Sequence, residues 1–394
     1  MNNDTKDRID DHAVGERLRL AREGARITQA DAAASIGVAR TTLVAIEKGQ
    51  RHIRTGELQK LAALYGSSAN AFLRSEAVHL DLVPRFRKLT QSAEDDVMEA
   101  VALLNDLVRA EVELENALGV TRQQNYPPER PILPGNVKAQ AEQDAQELRD
   151  WLGLGSGPCF DIISILELQI GIRVFLRPLP PKVSGLFAYD EQAGACILLN
   201  SKHPPERIIQ TALHELAHFV SARRQPETVM LEAGHSSREE IYANTFARCF
   251  LTPARAVRQR FAELTAGQSR LTRRHIILLA HAFGVSREAM TRRLEELGLA
   301  KRGTWDWFVA NGGISDEQAR QVIGDEPNRL ARLSPKRGPI PPRIALLARE
   351  AWKQDLYSEG QLARLLKLSR FDVRALVEDV DSEESEADEL FKLS

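Results

Sequence analysis

The chain of 394 residues predicts a mainly α protein with one small sheet, an α+β class assembled from several domains. Three observations carry that expectation. Residues 13–75 run through short amphipathic helices interrupted by a glycine turn. Residues 211–220 read Thr-Ala-Leu-His-Glu-Leu-Ala-His-Phe-Val, an apolar helical run holding two imidazoles and a carboxylate. Residues 186–189 and 195–200 are short strand-like segments joined by 190–194, a hairpin connection.

The N-terminal segment, 13–75, has the rhythm of a five-helix unit. Helix one covers 15–23. The second helix, 28–35, opens on a Thr28 cap, and Gly37 supplies the turn. Residues 39–47 follow as a recognition helix, and 58–65 and 69–73 complete the unit. The segment holds ten Lys or Arg and five Asp or Glu, a local balance of +5 that suits phosphates, although the whole chain is at −2. This spacing resembles the Cro/repressor-type (XRE) helix-turn-helix family. The resemblance implies a double-stranded DNA operator as partner. It makes Gln29 a phosphate contact and Arg40, Thr41 and Val44 the groove-facing residues of the recognition helix. Arg40 would read guanine bidentately and Val44 would touch a thymine methyl. Leu43 and Ile46 read as core. A domain of this kind can also dock a protein, and the basic balance favours DNA.

Residues 76–120 form a connecting region with a helix at 93–118. Val97, Val101, Leu104, Val108 and Val112 lie close to one stripe, which suits either a homodimer or packing within the chain. The proline-rich stretch 121–137 reads as a linker.

The domain at 138–300 carries the chemistry. His214 and His218 are four apart on a helix and share a face, so both can present a ring nitrogen to one metal ion. Glu215 points about a hundred degrees round the helix, where a carboxylate can reach a metal-polarised water without ligating the metal. The helix after Ser236 and Ser237 places Glu240 and Asn244 on one face. Glu240 is the candidate third ligand, and Asn244 the group that orients His214 through its other ring nitrogen. Tyr242 and His235 are candidates for oxyanion support.

The run 185–253, with its short strand, HELAH, then E-x-x-A-N-x-F-A and a Leu-Thr-Pro close, resembles the ImmA/IrrE family of metallopeptidases. The resemblance covers roughly residues 135–300. It implies a zincin-like fold with His214, His218 and Glu240 holding Zn2+ (Mn2+ as the alternative), Glu215 as general base, and a helix-turn-helix repressor protein as substrate. In zincins an edge strand pairs with the substrate backbone, which makes 197–199 the candidate docking edge. Residues 276–299 form a further helix-turn-helix-like element.

Residues 301–377 suggest a helical C-terminal region, with an aromatic anchor at 305–308 and a third helix-turn-helix rhythm at 358–377. From 378 the tail is acidic, with eight Asp or Glu in the twelve residues 378–389. No apolar run is long enough for a membrane and the N-terminus is polar, so a cytoplasmic protein is expected. Cys159, Cys196 and Cys249 read as reduced core thiols. The expected whole is a DNA-binding regulator with a zinc-dependent endopeptidase domain. The alternatives are a non-proteolytic transcription factor that uses the peptidase fold as a ligand or metal sensor, and an antitoxin-like binding protein.

Overall fold

A computed structural model of the chain describes residues 11–65, 72, 95–223, 227–230, 237–268, 270–324 and 340–378. The chain divides into two compact units, residues 1–81 with 112–120, and residues 82–111 with 121–394.

In the first unit, α1 (Asp11–Gly24), α2 (Gln29–Ile36), α3 (Arg40–Glu47) and α4 (Thr55–Leu64) enclose a core that includes Leu18, Ile36, Leu43, Ile46 and Leu61. Thr28 caps α2 by accepting the Asp31 amide at 3.2 Å, and Gly37 ends it in the left-handed region at φ 73°. Gly15 lets α1 cross the end of α3, because a Cβ there would lie 2.3 Å from the Ile46 carbonyl oxygen. The fifth expected helix, 69–73, lies outside the described residues except for Phe72, which packs on this core.

Helix α5 (Asp95–Leu118) follows. Its stripe of Val97, Val101, Leu104, Val108 and Val112 is no more than 7% exposed within the single chain, so it is not the open dimer face that the spacing allowed. Residues 121–137 also differ from expectation: they are not a free linker. The Tyr126 hydroxyl accepts the Ala195 amide at 2.9 Å, and its ring meets Phe219 edge-on at 4.9 Å. The Arg130 amide donates to the Val220 carbonyl at 2.7 Å. The prolines remove donors, but the remaining N–H groups and side chains find partners on the second unit, which fastens the stretch down.

The second unit continues with α6 (Val137–Trp151), then α7 (Ile162–Ser164) running into a π-helical turn at Ile165–Ile170. Next come β1 (Arg173–Arg177), β2 (Val183–Asp190), β3 (Gly194–Asn200), α8 (Pro205–Ala222), β4 (Glu227–Met230) and α9 (Arg238–Leu251). The small expected sheet is four-stranded, in the order β1-β3-β2-β4. Strand β3 runs parallel to β1 and antiparallel to β2, and is buried along its whole length. The docking edge expected at 197–199 is therefore wrong: both ladders of β3 are occupied, and the sheet's edges are β1 and β4. One apolar core, including Leu166, Phe187, Leu213, Phe246 and Phe250, joins the sheet to α6, α8 and α9.

A separate core, with Val257, Ile276, Leu279, Phe283, Met290, Leu294 and Phe308, holds α10 (Ala254–Leu264), α11 (Arg273–Phe283), α12 (Arg287–Glu296), α13 (Thr304–Ala310) and α14 (Asp316–Ile323). The expected aromatic anchor is split. Trp305 packs on this core, whereas Trp307 is 57% exposed. The chain ends in α15 (Pro342–Lys353), α16 (Glu359–Leu365) and α17 (Arg370–Glu378). Buried Arg177 of β1 donates to the Leu366 carbonyl at 3.2 Å, which ties these helices to the sheet. The acidic tail beyond residue 378 lies outside the described residues. The three cysteines are buried and free. Among the described residues no helix is long and apolar enough to cross a membrane.

Candidate metal centre and nucleic-acid interface

Helix α8 begins with Pro205 at its first position and Glu206 in its first turn, where a missing N–H and a negative charge are both tolerated. Its inner face is apolar, and that burial carries His214, Glu215 and His218 into the protein at 4%, 0% and 2% exposure. Helical geometry sets the two imidazoles side by side, with their Nε2 atoms 3.0 Å apart. Helix α9 starts on Ser237, whose hydroxyl accepts the Glu240 amide at 3.2 Å. That cap fixes Glu240 in the first turn and aims its carboxylate at the pair. Oε2 lies 3.5 Å from His214 Nε2, and Oε1 lies 3.5 Å from His218 Nε2. One turn later, Asn244 Oδ1 sits 3.2 Å from His214 Nδ1.

The donor set fits a cation. A carbonyl oxygen facing Nδ1 fixes the proton there and turns the Nε2 lone pair inward. Ligand atoms from all three residues then converge within 4.8 Å of one another. Lone pairs so placed repel unless a positive charge lies among them. An ion that holds its ligands at about 2.0–2.1 Å in a tetrahedron sets them roughly 3.3–3.4 Å apart, the scale seen here. Burial pushes the His214 imidazole down from its ordinary value, while Glu240 opposes that shift. The facing imidazoles of His214 and His218 hold the Glu240 carboxyl well below the usual carboxylate range. Neutral imidazole and ionised carboxylate are the forms that ligate.

Gly185, to which the sequence pattern assigns no role, makes room beside Glu215. A Cβ there would lie 3.0 Å from Glu215 Oε1 and 2.7 Å from Thr211 Cγ2. The available signal was a glycine inside a strand pattern, which marks close approach of another element. Tyr242 is not free for oxyanion support, because its buried hydroxyl donates to Asp144 at 2.9 Å. His235 lies outside the described residues.

On α3, Arg40 and Thr41 are exposed and Val44 is half-buried, so the first turns of the helix present all three together. Gln29 is engaged within the domain. Its Oε1 accepts from Arg40 at 3.3 Å, and its Nε2 donates to Glu47 at 3.0 Å. Glu47 in turn pairs with Arg22 at 2.6 Å, and both are buried. Gln29 thus spans α2 and α3, linking an interior ion pair to the exposed start of the recognition helix.

Two family models match the chain, each over one of these regions. A helix-turn-helix family model matches residues 18–72. A peptidase-family model, described as the IrrE N-terminal-like domain, matches residues 168–295 and so contains the sheet, α8 and α9. No curated protein matches the chain. The chain thus joins a segment similar to a helix-turn-helix family to a segment similar to an IrrE-like peptidase family.

Proposed function

We propose that this chain is a DNA-binding transcriptional regulator whose second domain is a metal-dependent endopeptidase acting on a helix-turn-helix repressor. The observation that carries the enzymatic half is the triangle of buried His214 and His218 with half-buried Glu240, with Asn244 fixing the His214 tautomer. These three residues would hold Zn2+, with Mn2+ as the alternative. Such an ion would supply Lewis acidity to a neighbouring water and to the scissile carbonyl. Glu215, buried beside Gly185, takes the water's proton and returns it to the leaving amine. Asn244 keeps the His214 ring in register. On the DNA side, Arg40, Thr41 and Val44 face the major groove of an operator, with Arg40 held ready by Gln29.

The rival reading keeps the DNA-binding domain and uses the metal site as a sensor. Glu215 weighs against it, because a sensor needs ligands and no general base. The test is Glu215→Gln in cells, reading a reporter of the regulated genes beside the integrity of the repressor protein. Proteolytic signalling predicts an intact repressor and silent genes in the variant. Unchanged reporter output would overturn proteolysis and favour the sensor.

A further inference from the structure

The helices α10–α14, built on their own core, carry twelve Lys or Arg against seven Asp or Glu across 254–324. A surplus of charge is usually a solvated face, so what decides is how the acids are used. Each of the seven already faces an arginine. Arg260 pairs with Glu263. Arg292 takes Glu288, Glu295 and Asp306. Glu296 meets Arg248 and Arg293, Asp316 meets Arg287, and Glu317 meets Arg320. By contrast, Arg255, Arg258, Arg270, Arg274, Lys301 and Arg302 are exposed, and no ion pair or hydrogen bond engages their side chains among the described residues. Arg255 and Arg258 lie one turn apart on the side of α10 away from buried Val257. Arg270 and Arg274 bracket the start of α11.

Along the chain these cations flank a second helix-turn-helix, α11 and α12 joined through Gly284 at φ 64°. Its second helix is poorly equipped to read bases. Arg287 and Arg292, the basic residues on its outer side, are held by Asp316 and Asp306. The unopposed charge lies outside that helix and suits a phosphodiester backbone, whose contacts carry no sequence information. Five of the six are arginines, whose planar forks match phosphate oxygens.

We propose that this face, residues 255–302, is a second DNA-binding surface that holds the backbone of double-stranded DNA without reading sequence. It stands independently of the proposed DNA binding by α3.

The test uses the full chain and a labelled duplex of random sequence, with affinity measured against salt. The variants are Arg255, Arg258, Arg270 and Arg274 changed together to Ala or together to Lys, and Arg40→Ala separately. Removing one charge that neutralises a phosphate lowers the slope of log affinity against log salt by about 0.9. The Ala set should therefore flatten the slope by up to about four such steps, and the Lys set should restore it. Sequence preference selected from a random pool should be the same in the Ala set as in the parent. A slope in the Ala set equal to the parent's would overturn the proposal, even if Arg40→Ala still relaxes sequence preference. Loss of repressor cleavage in the Ala set with an unchanged DNA slope would also overturn it, and would assign the face to an acidic protein partner. If Arg40→Ala leaves preference untouched while the Ala set flattens the slope, the second surface stands and the DNA-reading role of α3 falls.

Discussion

The metal triangle and the recognition helix put polar side chains to work under opposite conditions. His214, Glu215 and His218 are buried in the apolar core of the second unit, whereas Arg40 and Thr41 of α3 stand in solvent. In the first setting each polar group depends on the others, because a buried group without its partner bears the full cost of leaving water. In the second, water takes the place of any partner that is removed. The buried site should therefore respond to substitution in an all-or-none way, and the exposed face residue by residue.

The largest effect should come from Glu215→Gln, which removes the base and spares the ligands. Turnover of a cleaved repressor should fall by about 10²–10⁴-fold, the usual contribution of a positioned acid–base group, with metal content unchanged. A variant that loses metal together with activity would show that Glu215 holds the site together and does not act as its base. Next, Glu47→Ala asks whether the DNA-binding domain also has an all-or-none interior. Buried Arg22 would keep only the Glu23 carboxylate at 3.5 Å and the Ile27 carbonyl at 3.0 Å, and the loss should be about 3 kcal/mol of stability, read by denaturant unfolding. A loss under about 1 kcal/mol would mean that this pair behaves like a surface ion pair.

Asn244→Ala tests the support behind the ligands. Metal affinity should drop by about 10–100-fold, measured by competition with a chelator, while stoichiometry at saturating metal is kept. Unchanged affinity would remove the hydrogen bond to His214 from the account. The smallest effect belongs to the exposed face: Arg40→Ala should cost about 1–3 kcal/mol on the preferred operator and relax selection at one base position. A uniform loss on all sequences would reassign Arg40 to phosphate.

Much of the buried site was legible because helical geometry is local. His214 and His218 share a face by their spacing alone, and Ser237 announces the turn that carries Glu240 and Asn244. Strand order was not legible. Whether β3 lies inside the sheet or on its edge depends on which distant strands pair with it, and the alternation of its own residues does not say. The stretch 121–137 misled for a related reason, since proline content reports missing donors but not where Tyr126 and Arg130 find partners. Gln29 shows the limit on the exposed side. Its place at the start of α2 was readable, whereas its bridge between Arg40 and Glu47 depends on how α2 meets α3.

Metal content of the purified full chain, measured by plasma mass spectrometry beside His218→Ala and Glu240→Ala, tests the central claim most directly. The parent should carry about one equivalent of zinc or manganese, in keeping with a three-ligand site, and both variants should lose it. A parent that is empty and takes up no added metal would contradict it, leaving a DNA-binding protein with an inert peptidase fold.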